Sequence, residues 1–299
     1  NTTNLNSGND YNTVTECTIT NYTGEDQYYG ISSNGTASKT NDNITISNNN
    51  FVDCLGAGID IETNSDSWTI SGNSFYQSAA IDPDNDIYGI LINTGSGYTI
   101  TDNYIGGQAD SCGGSSYTLN SSTRRFFPIY LNTDAVSTSS IQGNIIRNIT
   151  LNTTVGTATT SGIFTGIYVT GAGALNIGTT TGNIIGDTTT SASNKITITS
   201  TTSGGWINGI YTNTTGATTI SNNLIGDIAT SNVSGKGYTF YGIQTLGSGA
   251  NTITNNKIGS INTANTIAIG GASTASGVCQ FYGINNSATG LTSISSNII

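Results

Sequence analysis

The stretch "TTISNNLIGDI", residues 218 to 228, sets Ile220 three positions before Asn223 and another isoleucine, Ile225, two positions after it. The same spelling returns as "ITISNNNF" at 44–51, "TISGNSF" at 69–75, "TITDNYIG" at 99–106, "TITNNKIG" at 252–259 and "SISSNII" at 293–299. Such self-similarity marks a repeat architecture, whose units are too small to bury an apolar face alone and rely on their neighbours. The anchor positions run Val14, Ile46, Ile70, Ile100, Ile141, Ile177, Ile220, Ile253 and Ile294. Three residues beyond them stand Asn49, Asn73, Asn103, Asn144, Asn223, Asn256 and Asn297, with Cys17 in the first unit. The sixth unit, "IGTTTGNIIGD", delays its asparagine to Asn183 and so carries a short insertion.

A second landmark, usually a glycine followed by isoleucine, precedes the anchors: Ile31, Ile59, Ile90, Ile129 (after Pro128), Ile167, Ile210, Ile243 and Ile284. From Ile90, Ile167, Ile210, Ile243 and Ile284 the anchor lies ten residues ahead. The way from anchor to next landmark is free, from thirteen residues (Ile46 to Ile59) to thirty-three (Ile177 to Ile210). Constant spacing on one side and free length on the other describe coils that stack at fixed strand positions, with variable loops leaving from one corner. The expected fold is therefore all-β: one parallel β-helix solenoid over residues 1–299, of about eight or nine coils and roughly 40 Å long.

Each coil is expected to hold three short strands. In "GIYVT" and "GILIN", alternation turns Ile167 and Val169, or Ile90 and Ile92, inward and Tyr168 or Leu91 outward. In Thr99-Ile100-Thr101 the isoleucine points in and both hydroxyls out. The asparagine should then make the bend, because Asn tolerates left-handed backbone angles. Its amide both donates and accepts, so stacked coils about 4.8 Å apart would join these side chains into a ladder. The third strand returns Ile225 and Ile228, or Ile258 and Ile261, to the core.

The asparagine at the bend, the long loops after the third strand and the wording GIYxN…TISNNxIG resemble the right-handed parallel β-helix of the pectate-lyase-like group. They look more specifically like secreted β-helix repeat proteins of Bacteroidetes-type bacteria, many of them surface adhesins. The resemblance covers nearly the whole chain. It implies right-handed winding and a secreted, cell-surface location, but no particular activity, since such solenoids carry enzymes, adhesins and structural fibres alike.

Composition narrows the partners. The net charge is -10 with only seven Lys and Arg, which disfavours nucleic acid and anionic membranes alike. Residues 1–134 hold fifteen acids and three bases, and residues 135–299 two acids and four bases, so a cation site belongs in the first half. There is no histidine, and Cys17, Cys54, Cys112 and Cys279 lack CxxC spacing, which removes the usual zinc and haem ligands. The four are either free thiols packed as small apolar groups or disulfide partners. With no Met, no signal-peptide pattern and no apolar run of membrane-spanning length, the chain reads as a piece of a longer protein without direct membrane insertion.

In enzymes that this fold resembles, catalysis sits on the outer face of the first strand. The outward residues there are Ser32, Asp60, Leu91, Tyr130, Tyr168, Tyr211, Gln244 and Asn285, with Glu62, Asn93, Asn132, Thr170 and Asn213 one row further. Asp60 and Glu62 stand i, i+2, about 6.6 Å apart along a strand, near the spacing of paired glycosidase carboxylates. Asn132-Thr133-Asp134 matches the first block of polygalacturonase-type hydrolases, but that family's paired aspartates, Gly-His-Gly and Arg-Ile-Lys blocks are missing. No catalytic residue is assigned, and the chain is read as a non-enzyme.

Tyr130, Tyr168 and Tyr211 form an outward rank that could stack on sugar rings, with Asn93, Asn132 and Asn213 supplying hydrogen bonds. The competing reading is a tyrosine stack that only shields backbone. "IDPDNDIYGI" brings Asp82, Asp84 and Asp86 near Asp60 and Glu62, an oxygen-rich group suited to Ca²⁺. Ile87 stands where a glycine normally closes such a loop, and the alternative is a solvated acidic turn. Thr13/Thr15, Thr45/Ser47, Thr69/Ser71, Thr99/Thr101, Thr219/Ser221 and Thr252/Thr254 resemble the hydroxyl ranks of ice-binding solenoids, broken at Ser140/Gln142 and Asn176/Gly178.

The leading expectation is an extracellular structural or adhesive segment, a stalk or adhesin whose loops at 106–126, 151–165, 186–208 and 260–281 meet glycans or surfaces. The alternatives are a carbohydrate-active enzyme or glycan-binding module, a fibre subunit pairing its open coil ends with neighbouring chains, and an ice-binding protein.

Overall fold

The computed structural model describes residues 8–20, 28–82, 85–120, 123–154, 162–187, 195–200, 204–232, 237–260, 266–270 and 278–299. Every strand pairing between neighbouring coils is parallel, and the anchors stack in one line. Val14 faces Ile46, which faces Ile70, and the series continues through Ile100, Ile141, Ile177, Ile220 and Ile253 to Ile294. These strands make a nine-stranded sheet from Thr13–Thr15 to Thr292–Ser295, ordered as in the sequence. The landmarks do likewise from Ile31 to Ile284 in an eight-stranded sheet, Tyr29–Ser33 to Gln280–Asn286. A third sheet of eight strands, Thr18–Thr20 to Lys257–Ile258, closes the coil. The chain is a parallel β-helix.

The period-2 alternation explains the core. Ile70, Ile100, Ile141, Ile177, Ile220 and Ile253 are fully buried, as are Ile59, Ile90, Ile129, Ile167, Ile210 and Ile243, and they join one continuous apolar column. Stacking at the strand spacing also aligns like with like: Phe51 lies on Phe75 with ring centroids 4.8 Å apart. All four cysteines are free thiols. Burial pushes the Cys54 and Cys112 thiols up to about 12, which makes them inert packing groups.

The asparagine ladder is continuous. Asn73 donates both its backbone N–H and its Nδ2 to Asn103 Oδ1 at 3.0 Å, and Asn103 does the same to Asn144 Oδ1 at 3.1 and 2.9 Å. Each Nδ2 also reaches the anchor carbonyl one coil back, as Asn103 does to Ile70 at 2.9 Å. Asn183 takes its rung between Asn144 and Asn223 despite the insertion. Gln142 holds that insertion, accepting from Thr180 N at 3.0 Å and donating to Asn176 O at 2.9 Å.

Two expectations need correction. The bend is made not by the ladder asparagine but by the residue before it: Asn48, Gly72, Asp102, Gly143, Asn222, Asn255 and Ser296 have φ between 54° and 66°. That left-handed residue turns the chain outward, which frees the asparagine to point inward and hydrogen-bond. The coil also gains a fourth strand. Tyr117–Asn120, Ile149–Thr153, Ile196–Ser200, Ile228–Asn232 and Ile267–Ala268 form a five-stranded side sheet, all but Ile228–Asn232 within or beside the stretches read as loops. Leu119, Ile149, Leu151, Ile196, Ile198 and Ile228 are buried in it. Ile228 thus opens a strand of its own, while Ile261 lies outside the described residues.

Candidate functional site

The outer face of the landmark sheet carries the predicted row in register: Ser32, Asp60, Leu91, Tyr130, Tyr168, Tyr211, Gln244 and Asn285 follow one another coil by coil. The three tyrosines stack. Ring centroids are 4.7 Å apart for Tyr130–Tyr168 and 4.8 Å for Tyr168–Tyr211, with interplanar angles of 11° and 7°. Identical side chains one strand spacing apart in a parallel sheet can only lie face to face, so each ring covers its neighbour. What Tyr168 offers to solvent is an edge and a hydroxyl rather than a π-face.

Phe127 seals one side, edge-on to both Tyr130 and Tyr168, and Arg125 lies over its ring. Tyr211, expected outward and open, is only 2% exposed. Burial raises all three phenols, Tyr168 to about 12, so they stay protonated at neutral pH. Of the amides beside them, Asn132 donates to the Asn93 carbonyl at 2.9 Å, and Asn213 is exposed one coil beyond Thr170.

Asp60 and Glu62 do come together. The Asp60 side chain is 1% exposed; its Oδ2 accepts from Ser32 Oγ at 3.3 Å and its Oδ1 has no hydrogen-bond partner. Burial first, then the Glu62 charge, pushes its carboxyl up to about 6.

The raised value has a stability consequence. Between 3.8 and about 6 the folded rod keeps a proton that the unfolded chain has released, so this group's contribution falls as pH rises through that window. Burial also raises Asp227, with the same sign. Asp60→Asn keeps the neutral shape, so the variant should melt at a higher temperature than the parent at pH 7.5 and no higher at pH 4. Thermal denaturation at the two pH values checks this, and an unchanged difference between them would refute it.

In the acidic loop one carboxylate is already engaged by a cation. Asp86 is tied to Arg125, with Oδ2 2.7 Å from Nη2 and 2.9 Å from Nε, and Oδ1 accepting from the Arg125 backbone N–H at 2.9 Å. Asp82 is exposed, and Asp84 lies outside the described residues. Among the described residues no three Asp, Glu, Cys or His side chains converge to hold a metal.

Sequence reasoning missed a second ladder. Asp10, Asp42 and Asp66 each stand four residues before an anchor, and each carboxylate accepts a backbone N–H one coil on: Asp42 N on Asp10 Oδ1, Asp66 N on Asp42 Oδ1, both at 2.9 Å, and Ser96 N on Asp66 Oδ1 at 2.6 Å. The recurring Asp-x-x-x-Val/Ile was the available signal.

The chain matches no protein-family model, no curated protein and no solved structure. The fold and its site define a class, a parallel β-helix with side-chain ladders and an aromatic edge.

Proposed function

We propose that this chain is a structural and adhesive segment of an extracellular surface protein, a stalk or adhesin of the kind its sequence resembles. The observation that carries the reading is the unbroken line of amide rungs from Cys17 N on Asn49 Oδ1 to Asn256 on Asn297. It runs past coils whose connecting segments differ widely in length. A scaffold that holds its pitch while its loops vary suits a long element presenting changeable surfaces. Tyr130 and Tyr168, with Asn93, Asn132 and Asn213, support hydrogen bonding to glycans through hydroxyls and amides, in place of sugar stacking on ring faces, while the buried Tyr211 packs on Tyr168.

An antibody raised against the rod should label intact, unpermeabilised cells that express the full-length protein, and beads coated with the rod should adhere to glycan-covered surfaces. Labelling only after lysis would defeat the reading. Release of reducing ends from a panel of polysaccharides, abolished by Asp60→Asn, would replace it with a carbohydrate-active enzyme.

A further inference from the structure

A cleft of about 440 Å³ opens at the corner between the landmark and anchor strands, lined among others by Thr63, Asn64, Asp66, Thr94 and Asp134. Its two carboxylates come from the coils on either side of the one that carries Thr94–Ser96, and that short segment fixes both. Asp66 Oδ1 accepts from Ser96 N at 2.6 Å and from Ser96 Oγ at 3.1 Å. Asp134 Oδ2 accepts from Thr94 Oγ1 at 2.8 Å and from Gly95 N at 3.1 Å. The segment is itself constrained: Gly95 has φ +108°, and a Cβ there would lie 2.3 Å from the Ser65 carbonyl oxygen.

With one oxygen of each carboxylate held, the other is oriented but unused. Among the described residues none donates a hydrogen bond to Asp66 Oδ2, Asp134 Oδ1 or Asn64 Oδ1, whereas Asn64 Nδ2 is spent on Gly35 O and Thr63 Oγ1. The cleft therefore presents acceptors held in place and few spare donors. A matching ligand must be rich in hydroxyl donors and carry no negative charge. Size separates a sugar from an ion: Ca²⁺ gathers six to eight oxygens within about 2.6 Å, while 440 Å³ lies in the range of small-molecule sites.

We propose that this corner cleft binds the end of a neutral saccharide, with Asp66 and Asp134 receiving adjacent hydroxyls. The proposal rests on the reading of the rod as a surface-binding element and gives it a ligand class and a site apart from the tyrosine rank.

The test is calorimetric titration of the intact chain with free neutral hexoses and disaccharides, and with galacturonate, in the presence of a chelator. Saturable millimolar binding of at least one neutral sugar is expected, with galacturonate at least tenfold weaker. Asp66→Asn and Asp134→Asn retain an oxygen for the fixed hydrogen bonds and change only the free one, so each should weaken binding about tenfold without shifting the melting temperature. Asp227→Asn, on a distant coil, should bind as the parent does. No saturable response to any neutral sugar, a response restored only by calcium, or binding by both asparagine variants as tight as the parent's would overturn the proposal. The surface-labelling result stands or falls separately, since cells can display a rod whose cleft is empty of sugar.

Discussion

Asn103→Ala should lower the stability of the rod by about 3–5 kcal/mol, the largest effect of any single side-chain truncation on the ladder. Asn103 is fully buried, and its amide serves four partners: it receives Asn73 N and Nδ2 and donates to Asn144 Oδ1 and Ile70 O. Alanine leaves a buried N–H and a buried carbonyl unsatisfied where no water can enter, and each such group costs about 1–3 kcal/mol. Asn297→Ala is the comparison. That residue is half-buried and accepts from Asn256 N and Nδ2 on the last rung, so its loss should cost less than about 1 kcal/mol. Urea denaturation followed by circular dichroism measures both. Equal losses at the two positions would mean that the rungs add nothing beyond a local turn.

The second large effect is steric. A glycine stands before every landmark isoleucine except Ile129, where Pro128 takes the place, and a Cβ on all but the last of these glycines would strike the carbonyl oxygen of the next coil: 2.6 Å at Gly30, 2.9 Å at Gly58 and Gly166, 2.7 Å at Gly89, 2.6 Å at Gly209 and 2.5 Å at Gly242. On the inside the same Cβ meets the third-sheet side chain of its coil, Ile225 Cδ1 at 2.9 Å in the case of Gly209. Backbone cannot yield without breaking the register of two coils. Gly209→Ala should therefore cost about 3 kcal/mol, and Gly209→Val should prevent folding of the middle coils. Gly270→Ala is the control: its nearest neighbour would be 3.9 Å away, and it should fall within about 0.5 kcal/mol of the parent. Gly209→Ala melting with the parent would show that the coils are less closely packed than these distances require.

Much of this was legible in the residues themselves. The anchor and landmark isoleucines pair as their spacing requires, because a one-residue slip would turn every one of them to solvent. The side sheet was hidden by unequal loop lengths, although "ITLNT" and "ITITS" alternate as strands do. The bend was misplaced by one residue because Asn occupies both positions in "SNN": at 222–223 the first asparagine takes the left-handed angle and the second enters the core. The tyrosine row was placed correctly, yet its geometry was not foreseen, since the strand spacing that aligns the rings also makes them cover one another. The corner cleft draws on Asp66, Thr94 and Asp134, residues from three coils that no linear motif joins.

Among the described residues the strands of the side sheet begin at Tyr117–Asn120, with a single parallel bridge from Ile81 to Leu119 one coil earlier, so the later coils have a fourth wall that the described parts of the earliest ones lack. Resistance to flexure grows steeply with the width of a beam. Under sideways load the molecule would bow near its narrow acidic third, while the broader remainder stays straight.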